Sequence, residues 1–208
     1  MHPNPIFRGT AAARNLTFAR DRAFGALCLN ADPAPLLAHV PFLLTENGEV
    51  AELHLVRSNP IARLELPAPA VIAVTGPDGY VSPDWYGVDD QVPTWNYIAV
   101  HLRGMLEPLP QADLRALIDR LSDAHEARLT DKAPWTSAKM TPGVMERMMR
   151  QILPFRLRID TVDGTWKLNQ NKPDAVRMRA ADRIETGHGS DLAALSALMR
   201  DPPDTVPT

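Results

Sequence analysis

Three stretches of this sequence gather residue types that can hold a ligand. The first is Arg57-Ser58-Asn59-Pro60, which follows an apolar run and opens a short helical segment ending near Glu65. Asn59 suits an N-cap and Pro60 a first turn, so free backbone N–H groups, a hydroxyl and a cation would converge on one phosphate-sized anion site. The second stretch, residues 80–97, carries Tyr80, Ser82, Trp85, Tyr86, Thr94, Trp95, Asn96 and Tyr97 in a chain that is only 6% aromatic. Such clustering suits a flat heterocycle or a partner surface. The third, Trp166-Lys167-Leu168-Asn169-Gln170-Asn171-Lys172, sets cations and amides directly after a strand. Each has a plainer reading beside it: ordinary helix capping with a solvated arginine, a hydrophobic cluster beneath a loop, and a solvated strand end.

Other chemistries lack their residues. His39, His54 and His101 fall within apolar strand runs, and their positions match no zinc or haem spacing, so no metal site is expected. The single cysteine, Cys28, excludes an intramolecular disulfide and is expected to be buried and inert in Ala26-Leu27-Cys28-Leu29. There is no nucleophile elbow, phosphate-loop lysine or paired-glycine dinucleotide fingerprint, and no catalytic residue is assigned. A net charge of -3 and a pI of 6.1 exert no pull toward nucleic acid. Arg147, Arg150, Arg156 and Arg158 form the one basic cluster, read as solvated surface, and no helix-turn-helix pattern accompanies it. With neither a signal-peptide pattern nor an apolar run of bilayer length, the expectation is a soluble cytoplasmic protein without membrane contact.

The elements that position these residues follow from periodicity. Residues 10–22 suit an amphipathic helix with Thr10 as N-cap, and runs at 23–30, 36–44, 50–57 and 69–75 have the lengths of strands. Asn47-Gly48 signals a tight hairpin between the second and third. In 36–44, Leu36, Ala38, Val40, Phe42 and Leu44 share one face; in 95–103, Asn96, Ile98, Val100 and Leu102 do. Strands apolar on one side and mixed on the other suit a small barrel whose outer wall touches something else. Leu114, Leu117, Ile118 and Leu121 mark a helix over 110–127. Thr141 and Pro142 open a second over 142–152, whose stripe of Met145, Met148, Met149 and Ile152 reads as core rather than cofactor contact. Residues 155–162 alternate as a half-exposed strand; helices begin near Pro173 and Ser190, and a tail with Pro202, Pro203 and Pro207 is expected to be disordered.

Taken in order, His39-Val40-Pro41, Ser58-Asn59-Pro60, Gly76-Pro77 with Tyr80-Val81-Ser82-Pro83-Asp84-Trp85-Tyr86, Val92-Pro93-Thr94-Trp95-Asn96-Tyr97 with Val100-His101, and Lys167-Leu168-Asn169-Gln170-Asn171 resemble a known family almost end to end. It is the PaiB-type flavin mononucleotide (FMN)-binding negative transcriptional regulators, relatives of the pyridoxamine 5'-phosphate oxidase-like split barrels. The resemblance implies a mainly β fold with helices (α+β), an FMN-binding split β-barrel working as a homodimer. It implies one split-barrel domain over 1–172, with the helices at 110–127 and 142–152 inserted, and a C-terminal extension over 173–208. It implies FMN at the dimer interface, with Arg57, Ser58 and Asn59 on the phosphate and His39, Val40, Pro41 and His54 near the ring or ribityl chain. Trp95 and Asn96 would approach from the next strand, and Lys167 and Gln170 from the C-terminal strand of either subunit.

The sequence departs from the oxidase relatives in lacking further basic residues at His39-Val40-Pro41 and Ser58-Asn59-Pro60, and their substrate-phosphate residues are not recognisable. Pyridoxamine phosphate oxidation is therefore not expected. Two functions stay open: a regulator whose flavin state alters a repressing dimer, and a flavin-dependent oxidoreductase or flavin reductase of unknown substrate. A haem-handling or purely binding protein is a third possibility on the same scaffold. DNA enters as a partner only through the regulator resemblance.

Overall fold

The computed structural model describes residues 1–205. The strands are β1 (Phe24–Leu29), β2 (Leu36–Leu44), β3 (Val50–Val56), β4 (Ala68–Val81), β5 (Thr94–Pro108), β6 (Ile152–Lys167) and β7 (Gly189–Ser190). The helices are α1 (Ala12–Arg22), α2 (Leu114–Glu126), α3 (Val144–Met149), α4 (Asp174–Ile184) and α5 (Leu192–Arg200). Strand order is β1-β2-β3-β6-β5-β4, and β1 pairs with β4 as well as β2, which closes a six-stranded antiparallel barrel; β7 adds to β4. No described helix is long and apolar enough to cross a membrane.

The chain divides into two compact units, one of residues 19–73 and 102–161, the other of 1–18, 74–101 and 162–205. In the first, Ala38, Val40, Phe42 and Leu44 of β2 and Ala51, Leu53 and Leu55 of β3 point inward and are buried. The predicted alternation thus has a direct cause: one barrel face is dry, so a one-residue slip would place every apolar side chain in water. Gly48, with φ 75°, turns the chain between β2 and β3. Register runs His39 opposite Ala26 and His54 opposite Pro154. Leu114, Leu117 and Leu121 of α2 are buried, as the helical spacing requires, and α2 packs against β2.

In the second unit the core is Trp166 with Val81, Tyr86, Ile98, Leu168, Ala180, Ala181, Ile184, Leu195 and Met199. Trp166 donates its indole N–H to Asn15 Oδ1 at 2.8 Å and meets the Phe18 ring edge-on at 5.5 Å. Arg177 is buried between α4 and α5. Its guanidinium donates to the Met199 carbonyl, to the Arg200 carbonyl at 2.7 Å and to Asp174 at 2.8 Å, so it closes the C-terminus of α5.

Several local expectations are corrected. Thr10 does not cap α1: the Arg14 and Asn15 N–H groups bond to the Ala11 carbonyl, while Thr10 forms an isolated bridge with Thr205. That bridge places the described part of the tail; Pro207 lies outside the described residues. The helix expected over 142–152 is only α3, because Gly143 is left-handed at φ 79° and stands between Thr141 and the first turn. Its methionines are not core: Met145 and Met149 are half-buried and Met148 is 55% exposed. Cys28 is half-buried rather than buried, since its position in β1 points outward between the inward Leu27 and Leu29.

Candidate functional site

The end of β3 builds the first group. The Asn59 N–H reaches back to the Val56 carbonyl at 2.9 Å, which turns the chain, and Asn59 Oδ1 accepts from the Ile61 N–H at 2.9 Å. The Ala62 N–H donates to the Asn59 carbonyl at 3.0 Å, and Pro60 has no N–H to give. The backbone N–H groups of Asn59, Ile61 and Ala62, expected to be free for an anion at this turn, are therefore already used. The side-chain donors that remain are the exposed Ser58 hydroxyl, Asn59 Nδ2 and the exposed Arg57 guanidinium. Arg57 is held in place by Nε to the Arg150 carbonyl at 3.1 Å and by Nη2 to Gln111 Oε1 at 3.4 Å. Gln111 in turn donates to the Met149 and Ile152 carbonyls at 3.4 and 3.3 Å.

On the outer face of β2 and β3, His39 is exposed and stacks on Phe24 with ring centroids 6.3 Å apart. Val40 points the other way, into the barrel core at 2% exposure, so only its backbone can meet an outside ligand. Pro41 and His54 share the wall of a cavity of about 380 Å³ with Ser122, His125 and Glu126 of α2 and with Trp135. A second cavity of about 370 Å³ also touches His54 and Trp135 but is otherwise lined by Met140, the α3 methionines, Ile118, Gln151 and Ile152. His54 Nδ1 is buried with no hydrogen-bond partner among the described residues, and burial lowers the pKa of the ring. Sequence reasoning missed Ser122, His125 and Trp135, because α2 and the segment after it join a β2–β3 site only through packing distant in sequence.

Four further predicted residues lie in the other unit. Lys167 Nζ donates to Thr94 Oγ1 and, at 2.7 Å, to the Trp95 carbonyl, so Lys167 and Trp95 are brought together. Burial, and then the neighbouring Lys172 charge, lower the Lys167 pKa. Trp95 is 43% exposed and meets His188 edge-on at 5.8 Å. Gln170 is spent on its own turn: Oε1 accepts the Leu168 N–H at 2.8 Å and Nε2 donates to the Trp166 carbonyl at 2.5 Å. Asn96 is fully buried, and both its amide nitrogen and oxygen lack partners among the described residues. Asn169, left-handed at φ 64°, accepts from the Tyr86 hydroxyl at 3.4 Å while its own Nδ2 is unpartnered among the described residues.

The basic cluster is partly neutralised. Arg156 and Arg158 both face Glu107, at 2.9 and 3.8 Å, and Arg156 lies opposite Glu52 in the β3–β6 register.

Residues 1–161 match the family described as "Putative FMN-binding domain". The chain is 24% identical over 204 residues to the protease synthase and sporulation protein PAI 2 of Bacillus subtilis (strain 168), covering 97% of each. Among solved structures it is similar to an FAD and heme binding protein from Mycobacterium smegmatis, with TM-score 0.55, 20% identity, and 77% and 73% of the two chains covered. It is also similar to the flavocytochrome Anf3 from Azotobacter vinelandii, with TM-score 0.54, 13% identity, and 80% and 72% covered. At these identities the structural likenesses establish the fold.

Proposed function

The chain belongs to the FMN-binding domain family, and from that premise we propose that it is a homodimeric regulator that holds FMN on the outer β2–β3 face, with flavin occupancy as its signal. The observation that carries the flavin site is the continuity of β3: His54 lines a cavity with Pro41, and the same strand runs directly into Arg57-Ser58-Asn59. That tripeptide fits a phosphate by its chemistry, since it presents a cation, a hydroxyl and an amide, and Asn59 spends its oxygen on Ile61 while Nδ2 remains a donor. His39, Pro41 and His54 would meet the ribityl chain or ring. FMN supplies electron-transfer chemistry when bound; the protein supplies the binding, orientation and exclusion of water.

The test is an absorbance spectrum of the concentrated protein, then FMN titration of wild type and Asn59→Asp. Saturable binding lost in the variant supports the site. No binding by wild type at high micromolar FMN removes it and leaves the barrel.

A flavin-dependent oxidoreductase or flavin reductase is the second reading, favoured by the neutralised arginines, which leave the basic cluster poorly suited to phosphate backbone. The regulator predicts specific DNA binding that weakens steeply with salt; the oxidoreductase predicts turnover of a reduced donor without it.

A further inference from the structure

The methionine cavity shares His54, Ile118 and Trp135 with the Pro41 cavity, but its methionines are not used by the flavin reading. It measures about 370 Å³, within the range of small-molecule sites, and lies between α2, α3 and the β3–β6 wall. Its lining contains no carboxylate, lysine or arginine. Four of the lining residues are methionines, whose unbranched, polarizable side chains adapt to an irregular occupant. Trp135 adds an aromatic wall with one indole N–H, and the other polar side chains are those of His54 and Gln151. An ion entering this space would lose its hydration with no opposite charge to replace it.

His54 gives the cavity direction. It is the only titratable group in the lining, and its Nδ1 finds no partner among the described residues. A buried nitrogen left so forfeits a hydrogen bond, which a turn of the ring toward a bound molecule would restore. The half-buried Met145 and Met149 and the exposed Met148 are also an unusual use of large apolar side chains unless something covers their inner surfaces.

We propose that this cavity is a binding site for an uncharged, mainly apolar small molecule with an aromatic portion against Trp135 and one hydrogen-bonding group at His54. The site is separate from the phosphate end at Arg57 to Asn59 and does not depend on flavin being bound.

The full-length protein is titrated with N-phenyl-1-naphthylamine, a neutral dye with one N–H donor, and with 1-anilinonaphthalene-8-sulfonate, the same framework carrying a charge. The neutral dye is expected to saturate at one per chain and to bind at least about tenfold more tightly than the sulfonate. Met149→Lys, which sets a cation in the lining, should weaken the neutral dye about tenfold, and His54→Phe, which keeps a ring but no nitrogen, about fivefold. Met145→Gln, of similar length but polar, serves if Met149→Lys does not fold, and should weaken the dye in the same direction. Equal binding of the two dyes, or unchanged binding in these folded variants, overturns the proposal. Repeating the titration with saturating FMN separates the two sites: unchanged dye binding supports the proposal, and one-for-one competition overturns it by giving the cavity to the flavin. A protein that binds the neutral dye as described but no FMN refutes the flavin reading alone.

Discussion

Asn59 performs two tasks with two ends of one amide, and that makes it separable by mutation. Its oxygen caps Ile61, and its nitrogen is the donor offered to a phosphate. Asn59→Asp retains an oxygen for the cap, so thermal stability should stay near wild type while FMN affinity falls, because a carboxylate repels the phosphate. Asn59→Ala should lower both, with the cap costing about 1 kcal/mol in denaturant unfolding. Loss of stability in the Asp variant equal to that in the Ala variant would contradict this division. His54 supplies a pH test. Burial lowers its folded pKa, so between that value and the unfolded value of about 6.5 the unfolded chain binds more protons, and stability rises with pH through this window. Below the folded pKa the full penalty is present. Wild type should therefore lose stability on acidification below the ordinary histidine range, and His54→Phe should flatten that part of the profile.

At the scale of elements, what was legible in the sequence is what a periodic face can carry. β2 announces itself because Ala38, Val40, Phe42 and Leu44 alternate into a dry barrel, and α2 because Leu114, Leu117 and Leu121 recur along one buried stripe. The residues Arg57, Ser58 and Asn59 were legible as a donor set, since adjacency alone gathers them. Its free N–H groups were not, because their loss depends on which carbonyl each one reaches. The methionine stripe misled for a related reason: helical spacing shows which residues share a face but not what covers it. Two contacts between sequence-distant residues show how much depends on approach. A Cβ added at Gly104 on β5 would lie 1.8 Å from the Arg158 carbonyl oxygen of β6, a backbone atom that cannot swing aside. Gly104→Ala should force these strands apart and destabilise the barrel by on the order of 3 kcal/mol, measured by urea unfolding. Arg177→Met should cost about 3 kcal/mol by the same measurement, because it leaves the last carbonyls of α5 without their buried donor. A variant as stable as wild type would mean those carbonyls find water instead.

For the molecule as a whole, a barrel strand pair that shows large apolar side chains to water needs a partner to explain it. Phe24 and Leu37 are 53% and 58% exposed, and Ala26, Cys28 and Pro41 occupy the outward positions around them on β1 and β2. A second copy is the occupant that the homodimer reading calls for, and a two-fold interface brings each residue near its own counterpart or a fixed partner. Substitution at Leu37 should therefore act twice. Leu37→Glu would bury two carboxylates in one interface and should shift the protein to monomer in sedimentation at micromolar concentration, while leaving the barrel folded. Leu37→Lys should do the same for the opposite sign. Mixing the two variants then distinguishes a specific two-fold contact from general stickiness: complementary charges should restore a heterodimer, which neither variant can form with itself. Because His39 and Pro41 lie on the same outward strip as Leu37, FMN affinity should fall with the dimer and return with it. A wild type that sediments as a monomer, or monomeric variants with undiminished FMN binding, would detach the flavin site from the interface.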